Sequence, residues 1–233
     1  MTPFDDLVAR ATVDSRVRGL VLTGSHARGL ATAHSDHDVV IVVDREGDWP
    51  YRRTPELDEI PYTVPGLADT SLLWQRYAFR GARVLLDRLD GRVAELVARQ
   101  AAPTEQEATR WAREGLDGYV NFLYRAAKSR RDGEPLAARL DEMESISWLL
   151  TAVFAMHGRL RPYNKYLRWE LETFPLPAPW DPTLPGRLAA DPAGLFADVC
   201  ALARRCGHGD VLDEWGDDLT LISMATMDRG LLH

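Results

Sequence analysis

The chain has 233 residues, 45% of them hydrophobic and 27% charged, with a formal net charge of −7 and a pI near 5.4. That composition belongs to folded globular proteins and excludes a disordered or fibrous chain, while the acidic balance argues against a large nucleic-acid footprint, because a duplex binder needs a basic surface to displace counterions. No stretch approaches the ~18 uncharged apolar residues that cross a bilayer, and the first residues carry Asp5 and Asp6 rather than a basic and then apolar leader, so no membrane partner and a cytoplasmic location are expected.

Residues 17–23 (VRGLVLT) are an aliphatic run that stops at Gly24 and reads as a buried strand. A short helical turn over 25–30 and a loop holding His34 and Ser35 lead into 38–43 (DVVIVV), whose unbroken apolar run reads as a central strand covered on both faces. Residues 45–55 are polar, contain two prolines and read as a loop; 57–64 reads as a shorter strand that Pro61 confines to an edge or cuts short. A helix over 69–80 with Asp69 as its N-cap, a strand over 83–86 and the Asp90-Gly91 turn follow. After the Ala101-Ala102-Pro103 break helical spacing takes over. Leu116, Val120, Leu123 and Ala127 line one face of a helix over 104–129, and Met143, Ile146, Leu150 and Val153 line one face of a helix over 136–157. Further helices are expected over 194–205 and 210–229, so an α/β domain precedes a helical one, with the boundary near residue 100. Cys200 and Cys206 fall in one helix, roughly 9 Å apart and beyond disulfide reach, and are expected as buried free thiols.

Chemistry is suggested by Gly24-Ser25-His26-Ala27-Arg28-Gly29, followed by Ser35-Asp36-His37-Asp38 and the apolar strand. A glycine at a strand end lets backbone approach a phosphate, a serine adds a hydroxyl, and the start of the next helix supplies free amides. Asp36 and Asp38, two apart at a strand start, project from the same face. Convergent carboxylates repel unless a cation sits between them, and magnesium takes hard oxygen ligands and completes its shell with water and phosphates. Gly24 and Ser25 are therefore candidate nucleotide-binding residues, Asp36 and Asp38 candidate magnesium ligands, and Arg28 either a positive charge near the phosphates or a partner of an acidic residue. His26, His34 and His37 lack the spacing and the nearby cysteine of a structural zinc site.

Together, GSHARG and SDHDVVIVV resemble the signature of the polymerase β-type nucleotidyltransferase superfamily, and specifically its small bacterial members similar to the aminoglycoside nucleotidyltransferases. The resemblance implies an α+β protein: a catalytic core with a mixed sheet flanked by helices over 1–102 and an α-helical bundle over 103–233. It also implies a third metal-binding carboxylate on the strand next to the Asp36 and Asp38 pair. Asp58 in Glu56-Leu57-Asp58-Glu59-Ile60 matches it best, with Glu59 adjacent and Asp69 as the fallback; there it binds the metal or helps deprotonate the attacking hydroxyl.

The helical half is similar to the same group through residues 116–121 (LDGYVN), 126–128 (AAK) and 161–166 (RPYNKY). In related enzymes a lysine of the helical domain reaches the outer phosphates, and the candidates are Lys165 first and Lys128 second. Lys128 shares a polar stripe with Asp117, Asn121 and Tyr124 that is otherwise an ordinary solvated face, and Lys165 is otherwise a surface lysine lying over Tyr163 and Tyr166. Glu144 matches the helical-domain carboxylate that acts as general base in aminoglycoside-modifying members; the competing reading is a buried salt bridge to an arginine.

The activity implied is transfer of a nucleoside monophosphate, AMP from magnesium-bound ATP or the equivalent from another triphosphate, to a hydroxyl of a small-molecule acceptor, with an aminoglycoside-like antibiotic as one such acceptor. Two other readings stay open: a toxin-type or AMPylating enzyme acting on RNA or protein, and a nucleotide-binding module without catalysis. Small relatives often pair, so a homodimer is also an expectation.

Overall fold

The computed structural model describes residues 2–227. Contacts divide the chain into two compact units, Met1–Ala102 and Pro103–His233, one built on a mixed sheet with helices around it and the other helical, which makes the protein α+β.

The first unit opens with α1 (Pro3–Val13). Thr2 and Asp5 form a reciprocal capping box, and Pro3 sits in the first turn, where its missing N–H would have no helical partner. There follow β1 (Val17–Leu22), the single turn α2 (Gly24–Ala27), β2 (His37–Val43), β3 (Arg52–Arg53), β4 (Leu57–Thr63), α3 (Val64–Ala68), α4 (Leu73–Arg76), β5 (Arg83–Asp87) and α5 (Arg92–Gln100). The strands lie in the order β3-β4-β2-β1-β5. Only β2 and β4 run parallel; the other neighbours are antiparallel.

Side-chain alternation explains the burial of β2 on both faces. Val39, Ile41 and Val43 join Leu7 and Ala11 of α1 in one core, while Val40 and Val42 join Leu67, Val93 and Leu96 in another on the opposite face. Pro61 is tolerated because β3 pairs with Asp58 and Glu59 alone, leaving that edge of β4 open where the proline stands. The helix expected over 69–80 does not form. Thr63 caps α3 by accepting from Gly66 N, Asp69 ends that helix as its C-cap, and the Asp69 carboxylate accepts from Ser71 N at 2.9 Å, a local turn that competes with helix. What remains is the four-residue α4 and a 3₁₀ turn over Tyr77–Phe79.

In the second unit α6 (Glu105–Arg131) and α7 (Pro135–Met156) form an antiparallel pair, followed by α8 (Leu167–Thr173), α9 (Leu184–Ala190), α10 (Phe196–Arg205), α11 (Gly209–Asp213) and α12 (Asp218–Met227). A Thr104/Glu107 capping box starts α6, and Lys128, Arg130 and Arg131 complement the dipole at its end. A Cβ on Gly115 would lie 2.6 Å from Ala152 N, and one on Gly118 would lie 2.4 Å from the Trp148 ring, so these glycines let the two helices close on each other. Leu116, Val120 and Leu123 enter the core as the periodicity predicts, with Leu150 and Val153 of α7, but Met143 is exposed and Ile146 only partly buried. The helix expected over 210–229 is broken between α11 and α12, where Gly216 has φ +51°, and its last two residues lie outside the described ones. Cys200 is half-buried, and burial pushes its thiol up to about 11; Cys206 is exposed, contrary to the expectation of two buried thiols. Among the described residues no helix is long and apolar enough to cross a membrane.

Candidate active site

β1 delivers the chain to the site. Beyond its last residue, Thr23 binds the strand next to it twice: its N–H donates to Asp38 O at 2.8 Å and its hydroxyl to the same oxygen at 3.2 Å. The next residue, Gly24, has φ +66°, and a Cβ built there would lie 2.0 Å from Asp38 Oδ2. Conformation and space therefore demand glycine together, and the Asp38 carboxylate rests directly on the Gly24 backbone. Ser25, only 4% exposed, follows inside α2.

Asp38 is the second residue of β2, and Asp36 stands just before the strand. His37 between them turns the other way, toward α1. Its ring stacks on Phe4 at 4.5 Å and on His26 at 3.6 Å between centroids, and His26 Nε2 lies 3.3 Å from Ser35 O. Burial, and then the neighbouring His26, lower the His37 pKa. By strand alternation Asp38 shares the face of Val40 and Val42.

The parallel pairing of β2 with β4 sets Asp38 opposite Asp58. Residues paired in register on neighbouring strands share a face, so both carboxylates project from one side of the sheet. Asp58 Oδ1 is enclosed and meets no hydrogen-bond partner, which is unusual for a buried polar atom. Glu59, the adjacent alternative, points to the opposite face: it is buried, accepts from Trp49 Nε1 at 2.7 Å and pairs with Arg10 at 2.9 Å. Asp69 is occupied by Ser71. Among the described residues no three His, Cys, Asp or Glu side chains close a metal cage. The aspartates offer instead a partial set of hard oxygens, the form magnesium accepts when water and phosphates complete its shell.

Arg28 is 8% exposed and braces the turn from beneath. Its guanidinium donates to Gly24 O at 2.7 Å, Tyr77 O at 2.9 Å and Ala78 O at 3.1 Å, and lies 5.5 Å from the Tyr77 ring centroid. These bonds tie the glycine turn to a segment 49 residues further on. They also explain the arginine without a phosphate.

The other sequence candidates belong to the helical unit. Lys128 is half-buried on α6 with Nζ 4.2 Å from the Tyr124 ring centroid, and the stripe it shares is covered in part: Asp117 accepts from Trp215 Nε1 at 3.0 Å and Tyr124 meets the Trp215 ring edge-on. Lys165 is exposed in a 3₁₀ turn, 5.5 Å from the Tyr166 ring centroid. Glu144 is exposed on α7. The buried salt bridge weighed for it belongs to Glu142, which is fully buried and pairs with Arg130 and Arg139. Thr23, which fixes the Asp38 backbone, escaped the sequence reading, although a hydroxyl residue between an aliphatic strand and a glycine was the available signal.

Residues 8–109 match the family model described as a nucleotidyltransferase domain. The matched stretch is under half of the chain and covers the sheet, the glycine turn and all three aspartates; members of that family generally use a nucleoside triphosphate and a divalent metal. No individual curated protein matches the chain.

Proposed function

We propose that the chain transfers a nucleoside monophosphate from a metal-bound nucleoside triphosphate, ATP in the first instance, to a hydroxyl of a small-molecule acceptor, with release of pyrophosphate. The observation that carries this reading is the in-register pair Asp38 and Asp58 beside a glycine that admits no side chain. Asp36, Asp38 and Asp58 are the proposed ligands of a magnesium ion; their hard oxygens and the partnerless Asp58 Oδ1 fit such an ion. Bound there, it neutralises charge developing on the phosphates.

The chain's own residues position and move protons. Gly24 leaves room for the outer phosphates to approach the backbone, and Ser25 and the N–H groups of the turn donate to them. Asp58 takes the proton of the acceptor hydroxyl, whose oxygen bonds the α-phosphorus in line as the bond from that phosphorus to the leaving pyrophosphate breaks. On the strength of the sequence resemblance alone, Lys165, with Lys128 as its substitute, is assigned to the phosphates and Glu144 is the alternative base. The net charge of −7 favours a cationic, polyhydroxylated acceptor of the aminoglycoside type.

The test is pyrophosphate release and acceptor mass shift with magnesium and each of the four nucleoside triphosphates across a panel of amino sugars and other polyols. Asp38→Asn abolishes turnover while wild type adds one nucleotidyl mass to an acceptor. Equal release by the two proteins across the whole panel would defeat the proposal.

A further inference from the structure

Arg161 lies in the turn between α7 and α8, and the transfer chemistry proposed above makes no use of it. Its Nε is enclosed without a hydrogen-bond partner, and one of its terminal nitrogens donates to Asn164 Oδ1 at 3.1 Å. Burial lowers its pKa and no neighbouring charge offsets that shift, yet a guanidinium stays charged at any ordinary pH. Other half-buried arginines of the same unit have carboxylates: Arg159 meets Glu170 at 3.7 Å, Arg187 meets Asp198 at 3.4 Å, and Arg130 meets Glu142. Glu170 belongs to α8, the helix that follows the turn, and pairs with Arg159, two residues from Arg161. Among the described residues Arg161 pairs with no carboxylate.

A partly desolvated cation without a counter-ion costs free energy that a bound anion recovers. The neighbouring side chain suits such an anion. Because Asn164 accepts through Oδ1, its Nδ2 amino group, with two N–H donors, is left for another acceptor, and the residue is exposed. A planar guanidinium fork beside amide donors matches a tetrahedral oxyanion. We propose that Arg161 and Asn164 form an oxyanion site on the helical unit that takes a phosphoryl group. The site stands whether or not the chain transfers nucleotides.

Calorimetry on the full chain without divalent metal, in EDTA, tests it with three probes: inorganic tripolyphosphate, ATP and glucose 6-phosphate. They separate a polyphosphate chain, a nucleotide and a phosphorylated sugar as the source of the group. Wild type binds at least one probe at millimolar concentration or below. Arg161→Gln weakens that binding by about tenfold or more, the loss of one charge-assisted hydrogen bond, and Asn164→Ala weakens it less. Arg161→Lys keeps the charge without the fork and falls between, which preserves the test should the glutamine variant fail to fold. These titrations contain no divalent metal and no acceptor and read binding alone, so a failure of catalysis and a failure of this site are read separately. No binding of any probe to wild type, or equal binding by wild type and the folded Arg161 variants, overturns the proposal.

Discussion

Replacing Gly24 by alanine adds one methyl group where two constraints meet. The backbone φ of +66° is a region that an L side chain enters at a cost of about 1–2 kcal/mol. The new Cβ would lie 2.0 Å from Asp38 Oδ2, while contacts under 3.0 Å essentially do not occur, so the carboxylate must retreat by the difference or the turn must open. A catalytic group misplaced by ~1 Å loses on the order of 100-fold in rate. Gly29→Ala separates the two effects: φ is +72°, which carries the same backbone cost, but nothing lies within 4 Å of an added Cβ. Urea denaturation followed by circular dichroism should show both variants destabilised by about 1–2 kcal/mol. Pyrophosphate release at saturating magnesium nucleotide should fall about 100-fold in Gly24→Ala and stay within about threefold of wild type in Gly29→Ala. Wild-type turnover in Gly24→Ala would refute the placement of Asp38 as a working carboxylate, and equal losses in the two variants would assign the effect to loop strain.

Other perturbations follow from the same contacts. Arg28→Ala leaves three carbonyls without their charged donor and should lower stability by about 3 kcal/mol in urea melts, with any loss of turnover tracking the loss of folded protein. Gly115→Ala drives a Cβ to 2.6 Å from backbone at Ala152 and should destabilise by about 1–3 kcal/mol. Gly186→Ala in α9, where nothing lies within 4 Å, should instead stabilise by about 0.5–1 kcal/mol; thermal melts of the pair check the contrast. Burial lowers the pKa of His37, His157 and His208 in the folded chain. The unfolded chain therefore takes up protons first: stability is full above the ordinary histidine pKa and is lost as pH falls through it toward the lowered values. Urea midpoints should drop between neutral and mildly acidic pH, and a midpoint that rises on acidification would contradict the assignment.

The strands that build the site were legible because their signal is local. The aliphatic runs of β1 and β2 and the break at Gly24 carry their own period, and alternation in Leu57-Asp58-Glu59 separates Asp58 from its neighbours. What alternation does not supply is the parallel register that sets Asp58 opposite Asp38, a pairing made across a long connection. Arg28 is similar: its role depends on carbonyls 49 and 50 residues away, beyond any spacing rule. Helices α1, α3, α5, α8 and α9 were missed, and for two of them clear signals were present, the Thr2/Asp5 capping box of α1 and the Val93, Leu96, Val97, Gln100 stripe of α5. Both are short, and their apolar content is modest beside the strands they cover. Asp69 misled because the same side chain that caps a helix start also closes a turn, and Ser71 decides between them.

The central claim is that Asp38 and Asp58 hold one divalent cation together with the nucleotide. Manganese, a paramagnetic substitute for magnesium, can be titrated into the full chain with a non-hydrolysable triphosphate and followed by electron paramagnetic resonance. Wild type should bind it, and Asp38→Asn and Asp58→Asn should each weaken it by about tenfold or more, as expected when one charged ligand is removed. Unchanged manganese affinity in a folded Asp58→Asn protein would contradict the shared site.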